Sequence, residues 1–79
     1  MITSIDAIQE FIERALEGTD YVLTTLRVDE DNNLLVEISR EGGVWIDDCA
    51  KLNRRLVDWL EAKGEPDYSI EVGSSSHES

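Results

Sequence analysis

The stretch GGVWIDDCAKLNRR, Gly42 to Arg55, decides how this chain is read. It passes from a glycine pair through Trp45 to two adjacent carboxylates, a cysteine and three basic residues. Its centre, Asp47-Asp48-Cys49, is either a reactive cluster or the opening of a helix. The residues beyond it favour the helix. Cys49, Leu52, Leu56, Trp59 and Leu60 follow at spacings of three, four, three and one, the stripe of an amphipathic helix about four turns long. Gly64 supplies a left-handed stop and Pro66 bars continuation. Asp47 and Asp48 then face the unpaired backbone N–H groups and the positive end of the helix dipole, where a cap contributes about 0.5–2 kcal/mol. Cys49 lies on the apolar stripe as a small buried hydrophobe. Catalytic or metal chemistry finds no support: no histidine or second cysteine is near in sequence, and paired carboxylates act as an acid only with a raised pKa in a pocket.

Reading outward from that helix gives the rest of the order. Upstream, NLLVEISR alternates, with Leu34, Val36 and Ile38 on one face and Leu35, Glu37 and Ser39 on the other. Before it, DYVLTTLRV is rich in β-branched and aromatic residues and has no helical stripe. Asp29 to Asn33 is a polar turn between them, so the two runs form a hairpin. That acidic tip is a solvated loop, because it lacks the ligand oxygens at fixed spacing that an EF-hand calcium loop requires. The opening segment SIDAIQEFIERALEG places Ile5, Ile8, Ile12, Ala15 and Leu16 at helical spacing, with Phe11 beside them. Thr3 or Ser4 caps this first helix, Asp6 suits its dipole, and Gly18 ends it. Downstream, YSIEV alternates Tyr68, Ile70 and Val72 against Ser69 and Glu71, a third strand. The order α-β-β-α-β predicts an α+β two-layer sandwich, two helices on one face of a three-stranded sheet. The third strand runs parallel to the second because a helix joins them; its neighbour in the sheet stays open. Residues 1–73 make one domain and 74–79 a mobile polar tail.

Composition narrows the function. Seven Lys and Arg against 18 Asp and Glu leave a net charge of −11 on 79 residues. That disfavours nucleic acid as the main partner and suits a basic protein surface, since opposite potentials speed and orient encounter. A hydrophobic fraction of 41% argues against full disorder, and a single cysteine forms no intrachain disulfide. The longest clear apolar run is Leu34-Leu35-Val36, too short for a signal peptide or membrane span, so a reduced cytoplasmic protein is expected.

This order, with GVWIDDCAKLNRRL and the later YSIEVGS, resembles the N-terminal domain of RimP, the bacterial ribosome maturation factor. The family pattern is matched at Gly43, Val44, Ile46, Asp47, Asp48, Cys49, Leu52 and Arg54. It departs at Asn53, where Ser or Thr is usual, and at Trp45, where a small capping residue is common. EGTDYVLTTLRV is similar to the family's opening, so the resemblance spans residues of about 4 to 74. The family continues into a second, SH3-like domain, which is expected to be absent here because the chain closes on GSSSHES. The resemblance implies non-catalytic help in assembling the small ribosomal subunit. The implied partners are the immature subunit and a basic small-subunit ribosomal protein, with contact to ribosomal RNA and neither a cofactor, a metal nor a small-molecule substrate.

The candidate partner-binding residues are Trp45, Asp47, Asp48, Lys51, Arg54 and Arg55. Trp45 precedes the helix in a glycine-flanked loop and is divided between packing and anchoring a partner, whereas Trp59 belongs to the core stripe. Lys51, Arg54 and Arg55 form a solvated basic face, with Asp47–Lys51 and Arg54–Asp58 as i,i+4 pairs. An alternative reading is an acidic decoy that occupies a basic surface of a nucleic-acid-binding protein through Asp20, Asp29, Glu30, Asp31 and Asp67. An enzyme is the weakest reading, since the only histidine, His77, lies in the tail.

Overall fold

The structure is a computed structural model that describes residues 4–64 and 68–74. The expectations for Thr3, Pro66, Asp67, His77 and residues 75–79 fall outside the described residues. The elements run α1 (Ile5–Leu16), β1 (Val22–Val28), β2 (Asn33–Ser39), α2 (Ile46–Ala62) and β3 (Ser69–Ser74), the expected order. At the start of α1 the Ala7 N–H donates to Ser4 Oγ at 3.1 Å, a side-chain cap, and Gly18 leaves the helix at φ +80°.

The hairpin is held at its tip by Asp29. Its carboxylate accepts the backbone N–H groups of Asp31 (2.8 Å) and Asn33 (2.9 Å) and the Asn33 side-chain amide (3.0 Å). Asn32 supplies the positive φ of +63° that the turn requires. These donors, the Asn33 side chain first, hold the Asp29 carboxyl below its usual range. This acid therefore closes its own turn.

Strand β2 occupies the centre of the sheet, antiparallel to β1 and parallel to β3, which supplies the neighbour that the sequence leaves open. Leu34, Val36 and Ile38 are its buried face. Ile8 and Ile12 of α1 and Leu52 and Leu56 of α2 join them in one cluster, so both helices cover the same side of the sheet. Strand β3 extends past Val72: Gly73 pairs with Glu37 and Ser74 with Ile38, drawing the first tail residue into the sheet. Phe11 and Trp59 lock the helices together by stacking, with centroids 4.5 Å apart and rings inclined by 14°. Trp59 is half-buried, and the Lys63 ammonium lies 5.1 Å from its ring centroid. Asn53, the departure from the family pattern, donates from its amide to the Ile70 carbonyl at 3.3 Å and fastens α2 to β3.

Candidate functional site

The connection from β2 to α2 is built from residues that the sequence reading treated separately. Gly42 and Gly43 take φ of +92° and +111°, conformations that L side chains avoid, and the chain turns there after Arg40. Arg40 closes this turn: its carbonyl accepts the Gly43 N–H at 3.0 Å, and its Nε donates back to the Gly43 carbonyl at 2.8 Å. The turn delivers Trp45 as the N-cap residue of α2, with extended backbone and no side-chain cap bond.

Tyr21 fixes this junction from the opposite side. Thr19 first fastens the end of α1, donating from its hydroxyl to the Leu16 carbonyl at 2.6 Å and accepting the Tyr21 N–H at 3.1 Å. The Tyr21 hydroxyl then donates to Asp48 Oδ2 at 2.5 Å and accepts the Trp45 N–H at 3.2 Å, while the Arg40 guanidinium lies 4.9 Å from its ring centroid. Burial, and next the bond to Asp48, push the Tyr21 phenol above its ordinary pKa. Asp48 thus serves a contact 27 residues away in sequence instead of capping an amide directly, a correction to the capping role expected for it. Asp47 and Asp48 both remain in the first turn, where their charge suits the dipole.

Backbone and side chain diverge at Trp45. Its N–H is tied to Tyr21, yet its side chain is 64% exposed, and the adjoining Ile46 is 84% exposed. The stripe of α2 fades towards its start, from fully buried Leu56 through Leu52 to half-buried Cys49 and exposed Ile46. Sequence periodicity missed Ile46 as a surface residue, because it follows the stripe only from Cys49 onward and Ile46, three residues earlier, falls at its edge. It also missed Tyr21 and Arg40, whose roles depend on partners distant in sequence.

The remaining candidates separate into two groups. Asp48, Lys51 and Arg55 share a cavity with residues of α1 and β2. Arg54 instead pairs with Asp58 at 3.8 Å with both side chains largely exposed, a contact of small stabilising effect. The expected Asp47–Lys51 pair does not form: among the described residues the ion pairs are Arg14–Glu10 and Arg54–Asp58. Cys49 is half-buried, and burial, then the Asp48 charge, raise its thiol above the usual value, so it stays protonated at neutral pH. Among the described residues no group of three or more His, Cys, Asp or Glu is placed to hold a metal ion, and no helix is long and apolar enough to cross a membrane.

Residues 11–76 match the family described as the RimP N-terminal domain. A ribosome maturation factor RimP from Flavobacterium psychrophilum is 25% identical over 71 residues, which cover 89% of this chain and 46% of that protein. The chain therefore spans about half the length of this curated relative. The match takes in the second half of α1, the hairpin, the Asp47-Asp48-Cys49 helix and the third strand, and the chain belongs to the RimP N-terminal domain family.

Proposed function

We propose that this chain is a non-catalytic adaptor in maturation of the small ribosomal subunit, working in the cytoplasm and docking on a basic ribosomal protein of the immature particle. The observation that carries the reading is the exposed Trp45–Ile46 pair beside Asp47, presented on a backbone that Tyr21, Asp48 and Arg40 hold in place. An aromatic anchor on a fixed backbone loses little conformational freedom on binding, and aromatic residues dominate the energetics of protein interfaces. Family membership supplies the ribosomal context, and the net charge of −11 suits a basic partner through long-range attraction. Asp47 adds a carboxylate at the rim of the anchor, with Arg54 further along the same helix as a secondary contact.

The test is a pull-down from bacterial lysate with the chain at low and moderate salt, with retained proteins identified by mass spectrometry. Enrichment of one small-subunit ribosomal protein or of assembling small subunits, lost in Trp45→Ala and in Ile46→Ala, is the expected result. Retention of DNA- and RNA-binding proteins in general points to the decoy function instead. Enrichment that survives both substitutions removes the anchor from the mechanism.

A further inference from the structure

A second feature of α2 lies beyond the anchor. Between the end of α1 and the second and third turns of α2 is a surface cavity of about 170 Å³. Leu16, Ile38 and Leu52 give it an apolar lining, and Lys51 and Arg55 stand at it, both exposed. Among the described residues neither cation has an ion pair or hydrogen bond. On a chain of net charge −11, these two cations without partners outnumber the one carboxylate, Asp48, that lines the same hollow. The volume is slightly above that of an engineered apolar cavity of about 150 Å³ that admits benzene, enough for one large apolar side chain.

We propose that this cavity receives an apolar side chain flanked by a carboxylate, presented by a partner protein, with the side chain against Leu16, Ile38 and Leu52 and the carboxylate between Lys51 and Arg55. Asp48 also lines the cavity, and its carboxylate accepts the Tyr21 hydroxyl. It directs an incoming anion away from the Tyr21 side and towards the two cations. A nucleic-acid strand is the poorer occupant. It brings a phosphate at every nucleotide and meets the repulsion of the whole acidic surface, whereas a single carboxylate is matched by two local cations. The cavity shares Tyr21 and Asp48 with the junction beneath the Trp45–Ile46 anchor, but neither anchor residue lines it, and its occupant does not depend on the ribosomal reading.

The probe is acetyl-Leu-Glu-amide, titrated into the intact chain and followed by amide chemical shifts. Saturable shifts at Thr19, Lys51, Leu52 and Arg55 are expected, with affinity at least tenfold lower in a Lys51→Gln/Arg55→Gln variant and for acetyl-Leu-Gln-amide. Both substituted side chains are exposed, so the fold is retained, and circular dichroism checks it. Ala15→Met, which fills the cavity from its α1 side, also abolishes the shifts. Absence of saturable shifts, or equal affinity for the uncharged dipeptide, overturns the proposal. So does a hexauridylate that moves the same amides at lower concentration than the dipeptide. Loss of ribosomal enrichment in the pull-down leaves this site untouched, and loss of dipeptide binding leaves the adaptor function untouched.

Discussion

Two aliphatic residues on α2 give the sharpest test of how this helix divides its work. Leu56 is fully buried, while Ile46, ten residues earlier and at the edge of the same stripe, is 84% exposed. Replacing Leu56 by Ala removes three carbon atoms from the cluster formed with Ile8, Ile12, Leu34 and Val36. The transfer contribution alone is about 2.4 kcal/mol, at roughly 0.8 kcal/mol per buried carbon. The hollow left behind raises the total to about 3–4 kcal/mol, within the range for buried Leu→Ala changes. A chain of 79 residues has a total stability of about 4–12 kcal/mol, and small domains lie towards the lower end. Leu56→Ala therefore consumes much of the stability, whereas Ile46→Ala changes it by less than about 0.5 kcal/mol. Urea unfolding followed by tryptophan fluorescence measures both, because Trp59 stacks on Phe11 and reports the docking of the two helices. With a slope of about 1 kcal/mol per molar urea, the midpoint falls by about 3 M for Leu56→Ala and by under 0.5 M for Ile46→Ala. Equal midpoint shifts at unchanged slope would refute the burial gradient along α2, and with it the claim that Ile46 is free to serve a partner.

Two titrations and one alkylation rate test the electrostatics. The Tyr21 phenol has a raised pKa in the folded chain, so its contribution to stability is complete below the ordinary value near 10 and is lost as pH rises through the folded pKa; in Asp48→Asn the ultraviolet titration midpoint moves down, and an unmoved midpoint excludes the Asp48 bond as a cause. Asp29 behaves in the opposite sense. Its lowered pKa gives a contribution present above the ordinary carboxyl value and lost as pH falls through the folded pKa, read from its side-chain carbonyl shift, and Asn33→Ala raises that midpoint. Cys49, half-buried with a raised pKa, reacts with iodoacetamide at pH 7.5 more slowly than a free cysteine peptide; a faster rate contradicts its reading as a packing residue.

Much of the fold is legible in local pattern. The stripes of α1 and α2 and the alternation of Leu34, Val36 and Ile38 each depend on residues within a few positions, and the glycines at 18 and 64 mark helix ends by backbone geometry alone. The direction of β3 also follows, since a helical crossover returns the chain parallel to β2. The acidic turn at Asp29 is legible as a turn, although the capture of its carboxylate by Asn33 requires the folded backbone.

The site needed the third dimension. The Asp47-Asp48-Cys49 triplet contains enough to place a helix start, but nothing within it shows that Asp48 turns towards a hydroxyl 27 residues upstream. Tyr21 in isolation is an aromatic residue before a strand; its role arises where the end of α1, the Gly42-Gly43 turn and the first turn of α2 meet. Exposure follows the same logic. Trp45 and Ile46 are as apolar as Leu56 and Leu60, and periodicity weighs only spacing along one helix. Whether an apolar side chain is covered depends on which other elements reach that point, and α1 and the sheet cover the middle of α2 while leaving its beginning open.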